Sequence, residues 1–254
     1  MPSLRRLNAD GHEVAAVLTR APARAGRKHR LVQSAVHTAA DELGIPVLTP
    51  ATLRDEGIQH QIEELAPEAV AVVAYGLLVP QALLWVPAHG WINLHFSVLP
   101  SWRGAAPVQY AIWHGDDVTG ASTFRLEKGL DTGPVLGVVT EPILPRDTSG
   151  ALLDRLAASG SELLSRTFEL LEDGSAVAQP QQGEPTFAPT IKTSEARVDW
   201  TRPAGAVDRQ VRAHTPAPGA WTVLNGSRVK LGPVTPAPDQ AALAPGEIKD
   251  GLVG

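Results

Sequence analysis

The 254-residue chain has no cysteine, which excludes a disulfide framework, a thiolate zinc cluster and a thiol nucleophile together. No apolar run approaches the roughly 20 residues of a membrane span, and nothing resembles a secretory leader. The expected location is therefore the cytoplasm, with no membrane partner. A Gly-x-Ser-x-Gly elbow is missing, which argues against a serine hydrolase. A Gly-x-Gly-x-x-Gly turn and metal-ligand spacings are missing too, so neither NAD nor a metal is expected. Charge is sparse at 19%, against 43% hydrophobic residues, the profile of a soluble globular protein with room for one α/β domain and a smaller appendage.

Net charge is −5, yet no Asp or Glu occurs from Ala15 to Ala40. Arg20, Arg24, Arg27, Lys28 and Arg30 crowd this stretch around Pro22 and Gly26. A basic loop on an acidic protein attracts phosphate locally whatever the total charge. Its plain alternative is a solvated loop.

Apolar runs and helical periods then alternate. His12–Thr19, Pro46–Leu48, Ala69–Tyr75, Trp91–Phe96, Ala121–Leu126 and Val135–Ile143 read as extended. Leu31–Leu43, Gln59–Leu65, Ala106–His114 and Ser149–Glu172 read as helices. The last places Leu152, Leu153, Leu156, Leu163, Leu164, Phe168 and Leu171 on its inner side. This alternation predicts an α/β fold with an open, mostly parallel, Rossmann-like sheet over residues 1–174. Gln179–Pro185 is polar and rich in breakers, and 175–194 reads as a linker. Residues 195–254 predict a helix at Ala204–Ala213 and strands around the Asn225-Gly226 turn, a small β-rich domain.

Candidate chemistry lies between Trp91 and Gly133. Asn93 and His95 stand two apart on a strand, so both side chains leave one face. The strand is broken by Ser97-Val98-Leu99-Pro100, and ligands of open α/β sheets bind where strands end. A second turn, Glu127–Gly133, carries Asp131 between glycines. An amide and an imidazole can donate to a developing oxyanion, while a carboxylate orients the imidazole and relays protons. Taken singly, a strand histidine is more often a core residue and an Asp before Thr-Gly a turn former.

The strings around these residues resemble the formyltransferase family that uses 10-formyltetrahydrofolate. They are Asn93-Leu-His95 with Ser97-Val-Leu-Pro100, Arg103-Gly-Ala-Ala-Pro107-Val-Gln109, and Gly129-Leu-Asp131-Thr-Gly133. The resemblance runs from about His12 to Gly246. It implies Asn93, His95 and Asp131 as catalytic residues, folate contacts from Ser97, Val98, Leu99 and Pro100, and a pterin-facing backbone at Tyr75 and Gly76. Ala23-Arg-Ala-Gly-Arg-Lys is similar to the basic insertion of members that act on methionyl-tRNA. Glu195-Ala-Arg-Val-Asp-Trp200 is similar to the start of their OB-like tRNA-binding domain. Arg24, Arg27, Lys28 and Arg30 are thereby implied as tRNA contacts. The implied reaction moves a formyl group from 10-formyltetrahydrofolate, a co-substrate, to the α-amino group of methionine on initiator Met-tRNA, in a monomer. An amino sugar nucleotide is the alternative acceptor. Phe96 replaces a common Gly, and Glu127 and Pro134 replace common Asp residues, without removing a catalytic position. The resemblance further implies a strand ahead of the helix at Met1–Leu7 and strands beyond Gly254. The chain alone is accordingly expected to be an incomplete, inactive fragment.

Overall fold

The structure, a computed structural model, describes residues 1–25, 30–237, 243–249 and 251–254. It divides into two units. One comprises Met1–His95, Ala121–Val139 and Ala157–Gly183; the other comprises Phe96–Gly120, Thr140–Leu156 and Glu184–Gly254.

The chain opens with α1 (Pro2–Ala9), followed by β1 (Val17–Leu18), β2 (Ala23–Ala25), β3 (Arg30–Val32), α2 (Ala35–Leu43), β4 (Val47–Leu48), α3 (Glu56–Glu64), β5 (Val70–Val73) and β6 (Trp91–His95). Local chemistry sets the helix limits. Ser34 accepts from the His37 N–H to start α2, and Gly44, at φ 70°, ends it; Asp55 caps α3 through the Ile58 N–H. Ile58 and Ile62, one turn apart on α3, pack with Leu53, Val72, Leu83 and Trp91. A second cluster joins Leu4 of α1, Val17, Ala39, Ala40 and Ile45. Each large aliphatic side chain buried in this way contributes about 1.5–3 kcal/mol.

Two expectations need correction here. The helix expected over Leu31–Leu43 begins only at Ala35. Residues Arg30–Val32 instead pair antiparallel with Ala23–Ala25, leaving Leu31 68% exposed. The helical spacing of Val32 with Val36 was accidental, and the Ser34 cap marks the true start. The strand expected over His12–Thr19 pairs only at Val17 and Leu18, in parallel with Val47 and Leu48. Its partner lies between Pro46 and Pro50, residues without an N–H to extend the ladder.

Next come α4 (Pro107–His114), β7 (Val118–Arg125), β8 (Val135–Pro142) and α5 (Ser149–Glu172). The main sheet runs β5-β6-β7-β8. It is mixed: β5 and β6 are parallel, β6 and β7 antiparallel. On α5, Leu152, Leu156, Leu164 and Leu171 are buried, whereas Leu153, expected inside, is 38% exposed. It sits about 100° around the helix from Leu152, beyond the apolar stripe.

The second unit contains α4, α6 (Ala204–Ala213) and the hairpin of β9 (Trp221–Leu224) with β10 (Ser227–Lys230), turned at Asn225-Gly226. Both turn residues have positive φ, 49° and 76°, as such hairpins require. A smaller hairpin pairs β11 (Ile248–Lys249) with β12 (Leu252–Val253). Helix α4 packs on α6. Val108, Ile112, Leu152, Leu156 and Ala213 form one cluster; Val198, Val207, Val211 and Ala220 form another. No described helix is long and apolar enough to cross a membrane.

Candidate active site

In the first unit, β6 lies between β5 and β7, with Asn93 opposite Val72 and Phe124, and His95 opposite Ser122. Strand alternation sends Ile92 and Leu94 to one side, where both are almost wholly buried. Leu94 there meets α5 at Gly160, close to where a Cβ would stand. Asn93 and His95 take the other side, with Asn93 half-buried and His95 buried. The His95 ring stands edge-on to Phe124, with centroids 6.4 Å apart at 85°. Phe124 is fully buried and fixes the plane of the imidazole from the neighbouring strand.

Asp131 reaches the same imidazole from the turn between β7 and β8. Its Oδ2 is 3.8 Å from Nδ1 of His95, and the two side chains are 11% and 7% exposed. This is ion-pair range, longer than a hydrogen bond. Asp131 adopts φ 49°, a conformation uncommon outside glycine. The surrounding turn is tightly specified. The Thr132 hydroxyl donates to Glu127 at 2.6 Å, and the Arg125 N–H donates to the Pro134 carbonyl at 3.1 Å. Gly133 presses on the Arg125 carbonyl so closely that a Cβ would fall 1.8 Å from its oxygen. Gln181 donates from Nε2 to the carbonyls of both Asp131 and Gly133, each at 2.8 Å.

Strand β5 runs parallel to β6, so its carboxyl end emerges at the same sheet edge as His95. Ala74 follows it with φ 49°. Tyr75 then packs inward against the α3 cluster, while Gly76 is exposed and has no atom within 4 Å of a Cβ position. The Tyr75 hydroxyl is buried without a hydrogen-bond partner, and burial pushes its pKa up. An open backbone beside an unsatisfied buried hydroxyl is compatible with a polar planar ligand at this edge.

The structure thus brings Asn93, His95, Asp131, Tyr75 and Gly76 into one unit. Ser97, Val98, Leu99 and Pro100 belong to the second. There they form a loop in which Ser97 and Leu99 are buried, and Ser97 donates its hydroxyl to the Ser101 carbonyl at 2.5 Å. Thr186 holds the rim of the loop: its N–H donates to the Pro100 carbonyl, and its hydroxyl accepts from the Trp102 N–H. Arg24 lies exposed on β2, and Arg30 opens β3. Arg27 and Lys28 lie outside the described residues. Sequence reading did not single out Phe124 or Gln181. The first looks like any strand aromatic, and the second sits among breakers that suggest a linker. Among the described residues, no group of three His, Asp or Glu side chains is arranged for a metal ion.

The profile of the family described as Formyl transferase matches residues 2–168, and that of Formyl transferase, C-terminal domain, matches residues 190–252. The chain belongs to the formyl transferase family. Within it, the chain is 55% identical over 261 residues to a methionyl-tRNA formyltransferase from Nocardioides sp., with all of this chain and 83% of that protein covered. A methionyl-tRNA formyltransferase from Thermobifida fusca is 56% identical over 259 residues, covering 100% of this chain and 84% of the relative. Among solved structures, HypX from Aquifex aeolicus in complex with tetrahydrofolic acid superposes with a TM-score of 0.64 at 20% identity. That match covers 78% of this chain and 34% of HypX, and is a likeness of fold. The α/β class agrees with the alternation of apolar runs and helical periods, and the family is the one that the Asn93–Pro100, Arg103–Gln109 and Gly129–Gly133 strings resemble.

Proposed function

We propose that this formyl transferase moves a formyl group from 10-formyltetrahydrofolate to the α-amino group of methionine on initiator Met-tRNA. One observation supports the reading most: an imidazole and a carboxylate stand 3.8 Å apart, with Asn93 two residues before the imidazole on the same strand, in a chain 55% identical over its whole length to a methionyl-tRNA formyltransferase.

In this reading the methionine amine attacks the formyl carbon, the new C–N bond forms, and the bond from that carbon to N10 of the folate breaks. The Asn93 amide and the His95 imidazole donate to the oxygen as negative charge develops on it. Asp131, 3.8 Å from Nδ1, stabilises positive charge on the imidazole as it does so. The proton lost by the amine passes by way of these groups to the departing N10, so no net proton is released by the transfer. The folate is consumed as a substrate. The open backbone at Tyr75-Gly76 would receive its pterin ring, and Ser97–Pro100 would contribute further contacts. Arg24, Arg27, Lys28 and Arg30 would meet phosphates of the tRNA. The protein acts as a cytoplasmic monomer in this reading.

The test is acceptor competition. Consumption of 10-formyltetrahydrofolate should require charged initiator tRNA and be unaffected by an amino sugar nucleotide. Consumption with the amino sugar nucleotide and none with Met-tRNA would overturn the assignment of acceptor.

A further inference from the structure

Gln181 is 50 residues from Asp131 in sequence, in a segment whose composition suggests only a connector. Its amide nitrogen nevertheless donates to two carbonyls of one turn, at Asp131 and Gly133, both at 2.8 Å. The segment that carries it is anchored independently. Gln179 exchanges two backbone hydrogen bonds with Val135, each 2.8 Å, at the start of β8. The side chain therefore projects from a point fixed to the same strand that leaves the turn.

We infer that Gln181 is a positioning residue, which aims the Asp131 carboxylate at His95 by fixing the Asp131–Thr132 and Gly133–Pro134 peptide planes. The inference rests on the reading of Asp131 as catalytic. The φ of 49° at Asp131 is disfavoured for a residue with a Cβ, and such a conformation persists only when its surroundings over-determine it. The Asp131 carbonyl belongs to the peptide plane whose rotation would release that φ/ψ pair. The Gly133 carbonyl closes the other end of the turn. One amide donating to both locks the two planes against each other. Without it the Asp131 carbonyl loses this donor, while the Glu127–Thr132 bond, the Arg125–Pro134 bond and the Gly133 contact hold other atoms of the turn. The carboxylate is then aimed less firmly at Nδ1 although the turn stays folded.

The experiment compares Gln181→Leu, which keeps size and loses the donor, with Gln181→Asn, Asp131→Asn and the Gln181→Leu/Asp131→Asn double variant. Turnover, KM for folate and for Met-tRNA, and the thermal midpoint are measured for each. Gln181→Leu should lower kcat about 10–100-fold, the scale of a misplaced catalytic group, with both KM values and the unfolding midpoint little changed. Gln181→Asn, shorter but still a donor, should recover part of that loss. In the Asp131→Asn background the leucine should cost nothing further, because a residue that acts through another is non-additive with it. Unchanged kcat in Gln181→Leu, or an equal loss in both backgrounds, overturns the positioning role while the catalytic reading of Asp131 stands. Full turnover in Asp131→Asn overturns that reading, and the positioning role falls with it.

Discussion

In the second unit, Arg212 reaches Asp208 at 2.8 Å and Arg155 reaches Asp147 at 2.7 Å; in the first, His95 and Asp131 stand 3.8 Å apart. All but Arg155, which is about a third exposed, are well buried. The arginine pairs carry supporting bonds: Arg212 also donates to the Asp147 carbonyl, Asp208 receives Arg146, and Asp147 accepts from the Leu144 N–H. Buried charge of that kind is satisfied at every oxygen and joins the start of α5 to α6. The histidine–carboxylate pair has its imidazole plane set by an aromatic neighbour and its carboxylate carried on a turn, at a separation of 3.8 Å. A guanidinium stays charged and holds its carboxylate in one state, whereas an imidazole beside a carboxylate is a group that can take up and release a proton near neutral pH.

The widest separation between the two kinds of pair should be seen in turnover. His95→Ala or Asp131→Ala should reduce kcat by roughly 10²–10⁴-fold, with cooperative unfolding retained. Near-normal steady-state rates in either variant would erase the distinction. The second unit should answer in stability. Asp208→Ala strands the Arg212 guanidinium and should cost about 3–5 kcal/mol in denaturant titrations. The rate per folded molecule should be unchanged. A cost below the error of the titration would mean that the pair is not structural.

Smaller effects sharpen the comparison. Removing Arg27 should raise the KM for Met-tRNA and reduce the salt dependence of tRNA binding by about one unit in the log–log slope. The KM for folate should stay constant; salt-independent tRNA kinetics in both proteins would return the basic stretch to a solvated loop.

The smallest effect concerns His214, fully buried beside Trp113, whose Nδ1 donates to the Gln210 carbonyl at 2.7 Å. Burial pushes its pKa down from 6.5, against the opposing pull of that carbonyl and of Glu195. The unfolded chain therefore takes up a proton below about pH 6.5 that the folded chain refuses until a lower pH. Its contribution to stability is complete above that value and is lost as pH falls through it. Thermal midpoints at pH 7.5 and 5.5 should differ less in His214→Phe than in the parent. An identical difference would locate the acid sensitivity elsewhere.

Much of this was legible from sequence because it is local. Asn93 and His95 share a face by strand alternation alone, and α5 has the observed limits because its leucines recur with helical period between a threonine-serine start and Gly174. Asp131 was legible only through the resemblance of its Gly-flanked string, since nothing in a turn motif says which imidazole it will meet. Gln181 was invisible. Its meaning lies in two carbonyls 48 and 50 residues away, and backbone acceptors carry no sequence signature. The β2–β3 hairpin was missed because Val32 continues the helical period of α2, and only the cap at Ser34 separates them. The assignment of Ser97–Pro100 to the second unit could not be read from a motif that runs without interruption from His95.

Gly133 carries a consequence for tolerance to mutation. Every other amino acid brings a Cβ, and at this position that atom would fall 1.8 Å from a backbone oxygen that cannot swing aside as a side-chain tip would. In a saturation library all substitutions at 133 should drop out together, with alanine no milder in kind than tryptophan. At Gly76, where a Cβ meets nothing within 4 Å, the same library should separate small residues from large. A position whose losses are graded by size reports on a space that something must enter, and one that fails all at once reports on a contact already made.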